Sequence, residues 1–497
     1  MESPIMSLAL LLFFALPIPD LQDSGSPVSG PVGLSDVRAQ DPAPTKVLQT
    51  SAKTAPVRLD WTTLPFPQME PGARLGQAMA LGDFDGDGWQ DLAVSAPGAI
   101  RPGGLGEILV AMAAPGGLRE GVREILRVAP PAHQPEFEAL EFGAALCICE
   151  LDDDSAAELL IGAPLSGNGS GTVFVWGIDS LQKPAHMLLG ADTLPGRLGH
   201  SVAAGDFDGD GRWDLAMGAP LAHHGEHPGG AVLVLSTKAG RRVLAAPRPA
   251  SGAGFGSALA ILDLAPGAAV NLVVSAPDAD GEGVEGAGQV WIYSAGLRPI
   301  QPTLLTDPDL DLPGPSSFGR SISALGKTLL VGAPDRSPSR AGVLGGAFRY
   351  RQELGRPVRL LVQGAEPRPS DPAPSHRARH ARLGLRVLAA NMLGGAEPDA
   401  LVATEAFFGV EGLEQALLIW PGADPGAKPI ALNGPPEAGL RWMQSLAVDS
   451  LNSDRACLLA GDPSFGDPSF GDPSFGVGVT ATGSNRGRVM LGVLVPR

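Results

Sequence analysis

Asp83-Phe84-Asp85-Gly86-Asp87-Gly88-Trp89-Gln90-Asp91 runs directly into Leu92-Ala93-Val94-Ser95-Ala96-Pro97, and on this junction turns the choice between a helical and an all-β protein. Carboxylates at positions 1, 3, 5 and 9 of the loop, with a glycine at 6 free to take a positive φ, can wrap oxygen ligands round a hard cation. An EF-hand loop begins the same way, but it needs a bidentate glutamate at position 12 and a helix on either side. Position 12 here is Val94, and the residues after Asp91 form a short apolar run bounded by a proline, which is strand chemistry. The loop recurs as Asp206-Phe207-Asp208-Gly209-Asp210-Gly211-Arg212-Trp213-Asp214, with Met217 at position 12. Both read as strand-to-strand hairpins that hold a metal. The candidate ligands are Asp83, Asp85, Asp87, Asp91, Asp206, Asp208, Asp210 and Asp214, with the backbone carbonyls of Trp89 and Arg212 at position 7. A large, irregular, all-oxygen set favours Ca2+ over Mg2+.

Working outward, the loops are parts of a longer repeat. A Phe/Leu-Gly pair recurs at Leu75-Gly76, Phe142-Gly143, Leu198-Gly199, Phe255-Gly256, Phe318-Gly319 and Leu383-Gly384, with Arg441-Trp442 as a degenerate seventh, at intervals of 56 to 67 residues. Seven residues after each second anchor comes Asp83, Glu150, Asp206, Asp263, Asn391 or Asp449, and only the fifth copy, with Gly326, fails. Twenty-one residues on comes Pro97, Pro164, Pro220, Pro277 or Pro463; the fifth copy reaches Pro334 early and the sixth has Glu405. In the first copy the apolar stretches 78–81, 91–95, 107–112 and 121–128 are separated by Gly, Pro or Asp turns, which makes four strands per repeat. Four-stranded units repeated radially make a β-propeller. The count predicts seven blades starting near 75, 142, 198, 255, 318, 383 and 441.

A ring must be sealed or its end blades expose unpaired edges. The seventh copy has room for three strands, ending at 488–494, while Val57-Arg58-Leu59-Asp60-Trp61 alternates apolar and polar and belongs to no copy. The N-terminal strand is therefore expected in the last blade, with the propeller spanning 56–497. Upstream, the nine-residue apolar run Leu8 to Leu16 is too short for a bilayer-spanning helix and reads as the core of a signal peptide over 1–19; residues 20–55 read as a disordered spacer. No other segment reads as a transmembrane anchor.

Acidity decays among the other loops. The second copy keeps Glu150, Asp152, Asp154 and Glu158 without the glycines, a weaker third metal site. Copies four and six keep only Asp263 with Asn271 and Asn391 with Asp399, and copy seven has Asp449 but Cys457 at the end; these read as plain turns.

Phe-Gly, Asp-x-Asp-x-Asp-Gly-x-x-Asp and Gly-Ala-Pro in succession resemble the FG-GAP repeats of the amino-terminal propeller of integrin α chains. Ile161-Gly162-Ala163-Pro164, Met217-Gly218-Ala219-Pro220 and Val331-Gly332-Ala333-Pro334 supply the last element, and Leu59-Asp60 resembles that family's first strand. Similar repeats occur in glycosylphosphatidylinositol-specific phospholipase D and in bacterial surface proteins. The resemblance implies structural calcium on the lower side of the ring and ligand binding by the loops after Ala-Pro on the upper side. The chain carries no integrin-like segment after the seventh repeat, and no room before residue 56 for the phospholipase catalytic domain, so neither whole-protein role is expected.

On the upper side, His223, His224, Glu226 and His227 follow Pro220, an acidic loop spans 278–288, and a triplicated Gly-Asp-Pro-Ser-Phe places Phe465, Phe470 and Phe475 in one loop as candidate ligand contacts. Residues 375–382 form a local basic patch and Asn168-Gly169-Ser170 is a glycosylation sequon. A formal charge of −17, from 53 acids and 36 bases, repels nucleic acid, and 67 glycines with 48 prolines leave no room for long helices. Cys147, Cys149 and Cys457 are too few for a disulfide framework and read as small buried side chains. No nucleophile elbow or His-Glu-x-x-His motif is present. The sequence thus predicts a secreted, extracellular or cell-surface adhesion-type module, periplasmic in a bacterium, that binds a protein or glycan. A lectin, or a hydrolase or lyase with its site in the upper funnel, is the alternative.

Overall fold

The structure is a computed structural model. It describes residues 57–496 apart from 102–103, 132–139, 153, 178–180, 182–184, 190–192, 224–228, 239, 248–249, 266–268, 282, 295, 297–301, 309–314, 337–342, 352–357, 361–379, 394–396, 410–411, 423–428, 434–444, 450–456 and 463–487. The signal and spacer segments therefore lie outside the described residues. Among the described residues no helix is long and apolar enough to cross a membrane.

Seven sheets form a closed ring, a seven-bladed β-propeller; six are antiparallel and four-stranded, and that of blade five has the same four antiparallel strands plus His380–Leu383, paired in parallel with Val343–Tyr350. Blade one runs Met79–Gly82, Asp91–Arg101, Gly104–Ala113 and Val122–Val128 from inside to outside. The first strand of each blade touches the first strand of the next, and that of blade seven, Ser445–Asp449, touches that of blade one. Blade seven is completed by Val57–Thr63, which pairs antiparallel with Arg488–Pro496 as its outer strand, Leu59 opposite Leu494 and Thr63 opposite Met490. Leu64 extends the ladder by donating its N–H to the Val489 carbonyl at 3.0 Å.

Burial follows from this geometry. Each inner pair of strands is covered on both faces by neighbouring blades, which explains why the second strands read as continuous apolar runs. In blade one, Leu92, Val94, Leu109 and Ala111 pack toward blade seven, whereas Ala93, Ile108, Val110 and Met112 pack toward blade two. The period of two divides the side chains between two cores. Seven such clusters are present, one at each blade-to-blade junction. The anchor side chains Phe142, Phe255, Phe318 and Leu198 are fully buried within them.

The glycines of both signatures serve the same junctions. At Gly218, a Cβ would stand 2.1 Å from the carbonyl oxygen of Gly256 in the next blade, and Gly256 itself has a φ of +89°. Ser201 Oγ donates to that same carbonyl at 2.8 Å. Gly-Ala-Pro of one blade is thus the seat for Phe-Gly of the next.

Two irregular copies are explained by loop length. In blade five the acidic loop is replaced by a two-residue turn, Leu325 pairing with Thr328, which brings Pro334 forward in the repeat. In blade seven Asp449 pairs with Cys457, as Gly205 pairs with Asp214 in blade three. Asp449 is therefore the last strand residue and not the first loop position; the connection is one residue shorter than its counterparts, and the degenerate anchor hides the shift. No disulfide joins Cys147, Cys149 and Cys457, the last two of which are buried.

Candidate metal centres

All the acidic loops join the first strand of a blade to the second, and so lie at the end of the ring opposite the Ala-Pro hairpins. In blade one, carboxylate oxygens of Asp83, Asp85 and Asp91 come within 4.8 Å of one another. The loop is closed by its own amides: Asp87 and Gly88 donate to Asp83 at 3.0 and 2.7 Å, and Trp89 donates to Asp87 at 2.9 Å. Asp91, fully buried, accepts from the amides of Phe84 at 3.1 Å and Ala113 at 2.7 Å. Asp87 stands beside this cluster, its carboxylate 3.3 Å from the guanidinium of Arg123.

Blade three repeats the pattern with Asp206, Asp208 and Asp210. Gly209, Asp210 and Gly211 donate to Asp206, and Arg212 donates to Asp210 at 2.9 Å. Asp214 accepts from Phe207 at 2.8 Å and Asp208 at 3.1 Å through Oδ2, and the Ser236 hydroxyl also favours its charged form. Its Oδ1 is buried with no hydrogen-bond partner among the described residues. A buried, unsatisfied carboxylate oxygen costs on the order of 1–3 kcal/mol or more, and a cation is the simplest group that would satisfy it.

In blade two Asp152, Asp154 and Glu158 converge, while Glu150 lies close enough for Asp154 and Asp152 to raise its pKa in addition to burial. Burial also raises Asp91 to about 6, Asp214 to about 7 and Glu158 to about 8; neighbouring carboxylates add to each, and the amide donors oppose the rise. These are groups whose environments disfavour charge unless a positive partner is supplied. Hard oxygen donors, loop glycines at φ +69° (Gly86) and +78° (Gly209), and the unpaired Asp214 oxygen all fit a calcium ion.

In blade six Asp399 keeps the organising role without the acidic cluster, accepting from Met392, Leu393 and Gly422. The ninth position is thus a loop clamp even where the other ligands are lost.

The sequence missed the groups that reach these loops from other strands. Arg123, on the outer strand of blade one, pairs with Asp85 and Asp87. Ser236 donates to Asp208, and Thr237 donates to Asp210 at 2.6 Å. No local motif marks them, because they come from across the blade. At the opposite end of the ring His223 is exposed, whereas His224, Glu226, His227, Phe465, Phe470 and Phe475 lie outside the described residues.

The FG-GAP repeat family model matches residues 75–111 and 198–235, the inner three strands of the two blades with complete acidic loops. The chain carries FG-GAP repeats. The chain is 32% identical over 179 residues to phosphatidylinositol-glycan-specific phospholipase D of Mus musculus, covering 33% of this chain and 20% of the relative. It is 32% identical over 245 residues to integrin alpha-IIb of Homo sapiens, covering 46% of this chain and 23% of that protein. Integrin alpha-4 of Xenopus laevis is 31% identical over 180 residues, covering 35% of this chain and 16% of the integrin. The chain thus spans only about a fifth of the length of these curated relatives.

Proposed function

We propose that this chain is a non-catalytic, calcium-stabilised interaction module that works outside the cell, secreted or at the surface. Two calcium ions are held on the lower side, one by Asp83, Asp85, Asp87, Asp91 and the Trp89 carbonyl, the other by Asp206, Asp208, Asp210, Asp214 and the Arg212 carbonyl. Asp152, Asp154 and Glu158, with Glu150, form a weaker third site. The observation that carries this reading is the buried, unpartnered Oδ1 of Asp214 in a loop of converging carboxylates. Calcium here stiffens the ring and does no chemistry.

The opposite side meets an extracellular protein or a glycan. The extracellular placement and the partner class are supported by similarity to integrin α chains over part of the chain. The longest described hairpin of blade one supports a docking role: Ile100 and Leu105 face each other near its tip, 70% and 37% exposed. Arg101 braces this tip against Glu70 at 2.8 Å and against Glu107, so the apolar pair is held out in a fixed position. His223, His224, Glu226, His227, Phe465, Phe470 and Phe475 are proposed contacts on the same side.

Calorimetric titration of chelator-treated protein should report two calcium sites, with a third weaker one; no binding at millimolar calcium would overturn the metal reading. A glycan array read with and without chelator sorts the partners. Glycan binding marks a lectin, and turnover of any glycan would replace the module by an enzyme.

A further inference from the structure

Asp214 differs from Asp91 and Asp399 in how the third strand of its blade ends beside it. In blade one Ala113 donates its amide to Asp91 Oδ1 at 2.7 Å, and in blade six Gly422 does the same for Asp399 at 2.8 Å, whereas Asp214 Oδ1 receives no such amide. Leu215 pairs with Leu235 as Leu92 pairs with Ala111, which puts Ser236 and Thr237 where blade one has Met112 and Ala113. In blade one Arg123 reaches Asp85 and Asp87 from a bulge in the facing strand, where Met112 pairs with Glu124 and Ala113 with Val122. In blade three the same two places bring hydroxyls. Ser236, 2% exposed, donates to Asp208 Oδ2 and also favours the charged form of Asp214, while Thr237 donates to Asp210 Oδ2 at 2.6 Å. Thr237 is the chief influence holding the Asp210 carboxyl below its ordinary pKa, against burial and alongside the Arg212 amide and the charges of Lys238 and Arg212. The other oxygen of each acid is engaged by the loop itself, Asp210 donating to Asp208 Oδ1 at 3.1 Å and Arg212 to Asp210 Oδ1 at 2.9 Å.

We infer that Ser236 and Thr237 are positioning residues of the blade three metal centre: their hydroxyls fix Asp208 and Asp210 beside Asp214, whose Oδ1 is left for the cation. The inference rests on the calcium reading proposed above. A hydrogen-bond donor on a metal-binding carboxylate fixes its rotation, and a hydroxyl does so without adding net charge. Because Ser236 and Thr237 are adjacent at the end of one strand, a single backbone segment sets two ligands at once.

The test uses the full chain with the blade one loop silenced by Asp85→Asn, read by calcium calorimetry and by thermal melts in chelator. Adding Ser236→Ala should weaken the blade three site roughly tenfold, and Thr237→Ala should weaken it in the same direction. Ser236→Thr and Thr237→Ser keep the hydroxyl and should restore the affinity. A hydroxyl with only a structural role would lower the melt in chelator and leave calcium affinity where it was. That result, or no recovery with the two conservative variants, would overturn the inference and leave the calcium reading intact. Absence of calcium binding by the unmutated chain would remove both. Should Ser236→Ala fail to fold, Thr237→Ala, at a half-buried residue, decides in its place.

Discussion

The ninth carboxylate of each loop is buried while its partners reach toward solvent, and this sets how the loops respond to pH. Asp91, Asp214 and Glu158 have native pKa values of about 6, about 7 and about 8 through burial, against ~4 in an unfolded chain. With calcium chelated, the unfolded chain ionises from about pH 4 while the native groups stay protonated, so stability falls as pH rises from ~4 to ~8 and levels off above. Denaturant melts across that range should show the decline in chelator and a flatter or reversed trend in calcium; identical profiles would contradict a metal at these carboxylates. The junction glycines give a second test. Gly218→Ala drives a methyl group to 2.1 Å from a backbone carbonyl that belongs to another blade and cannot swing aside, and should cost about 2 kcal/mol or more. Gly283, with open space around its Cβ but a φ of +90°, is the control for backbone strain alone.

At the scale of the element, the strand Val57–Thr63 decides whether blade seven is whole. It supplies seven register partners to Arg488–Pro496, and Leu59 and Trp61 pack against the cluster between blades six and seven. Deleting 56–64 should lower the melting temperature sharply, because it strips that cluster and leaves an open edge; an unchanged melt would contradict closure by this strand. Closure was legible in the sequence because a strand-like alternation stood outside the repeat and one blade lacked a fourth strand. The acidic loops and the second strands were equally legible, since ligand spacing and apolar runs are local. Arg123 was not: a one-residue bulge has no signature of its own, and the guanidinium meets Asp85 and Asp87 across the width of the sheet. Ser236 and Thr237 escaped for the same reason. The displaced register of Asp449 escaped because Arg441-Trp442 replaces the anchor pair from which positions are counted.

At the scale of the molecule, the ring has two unlike ends. One carries first-to-second-strand loops where acids converge, so that much of the −17 charge sits where cations fit. The other carries the hairpins after Ala-Pro, among them the braced Ile100 and Leu105 pair. Since every core cluster is shared by two blades, an ion that stiffens one loop supports the junctions beside it: the Asp83 carbonyl accepts from Ala157 in blade two, and the Asp206 carbonyl accepts from Val270 in blade four, both at 2.8 Å. The separation of a metal-bearing end from a docking end is the central claim. A crystal structure grown in calcium, with anomalous scattering recorded at long wavelength, tests it most directly. The account predicts strong peaks inside loops 83–91 and 206–214, the latter ligated by Asp214 Oδ1. Ordered loops holding only water at millimolar calcium would contradict it.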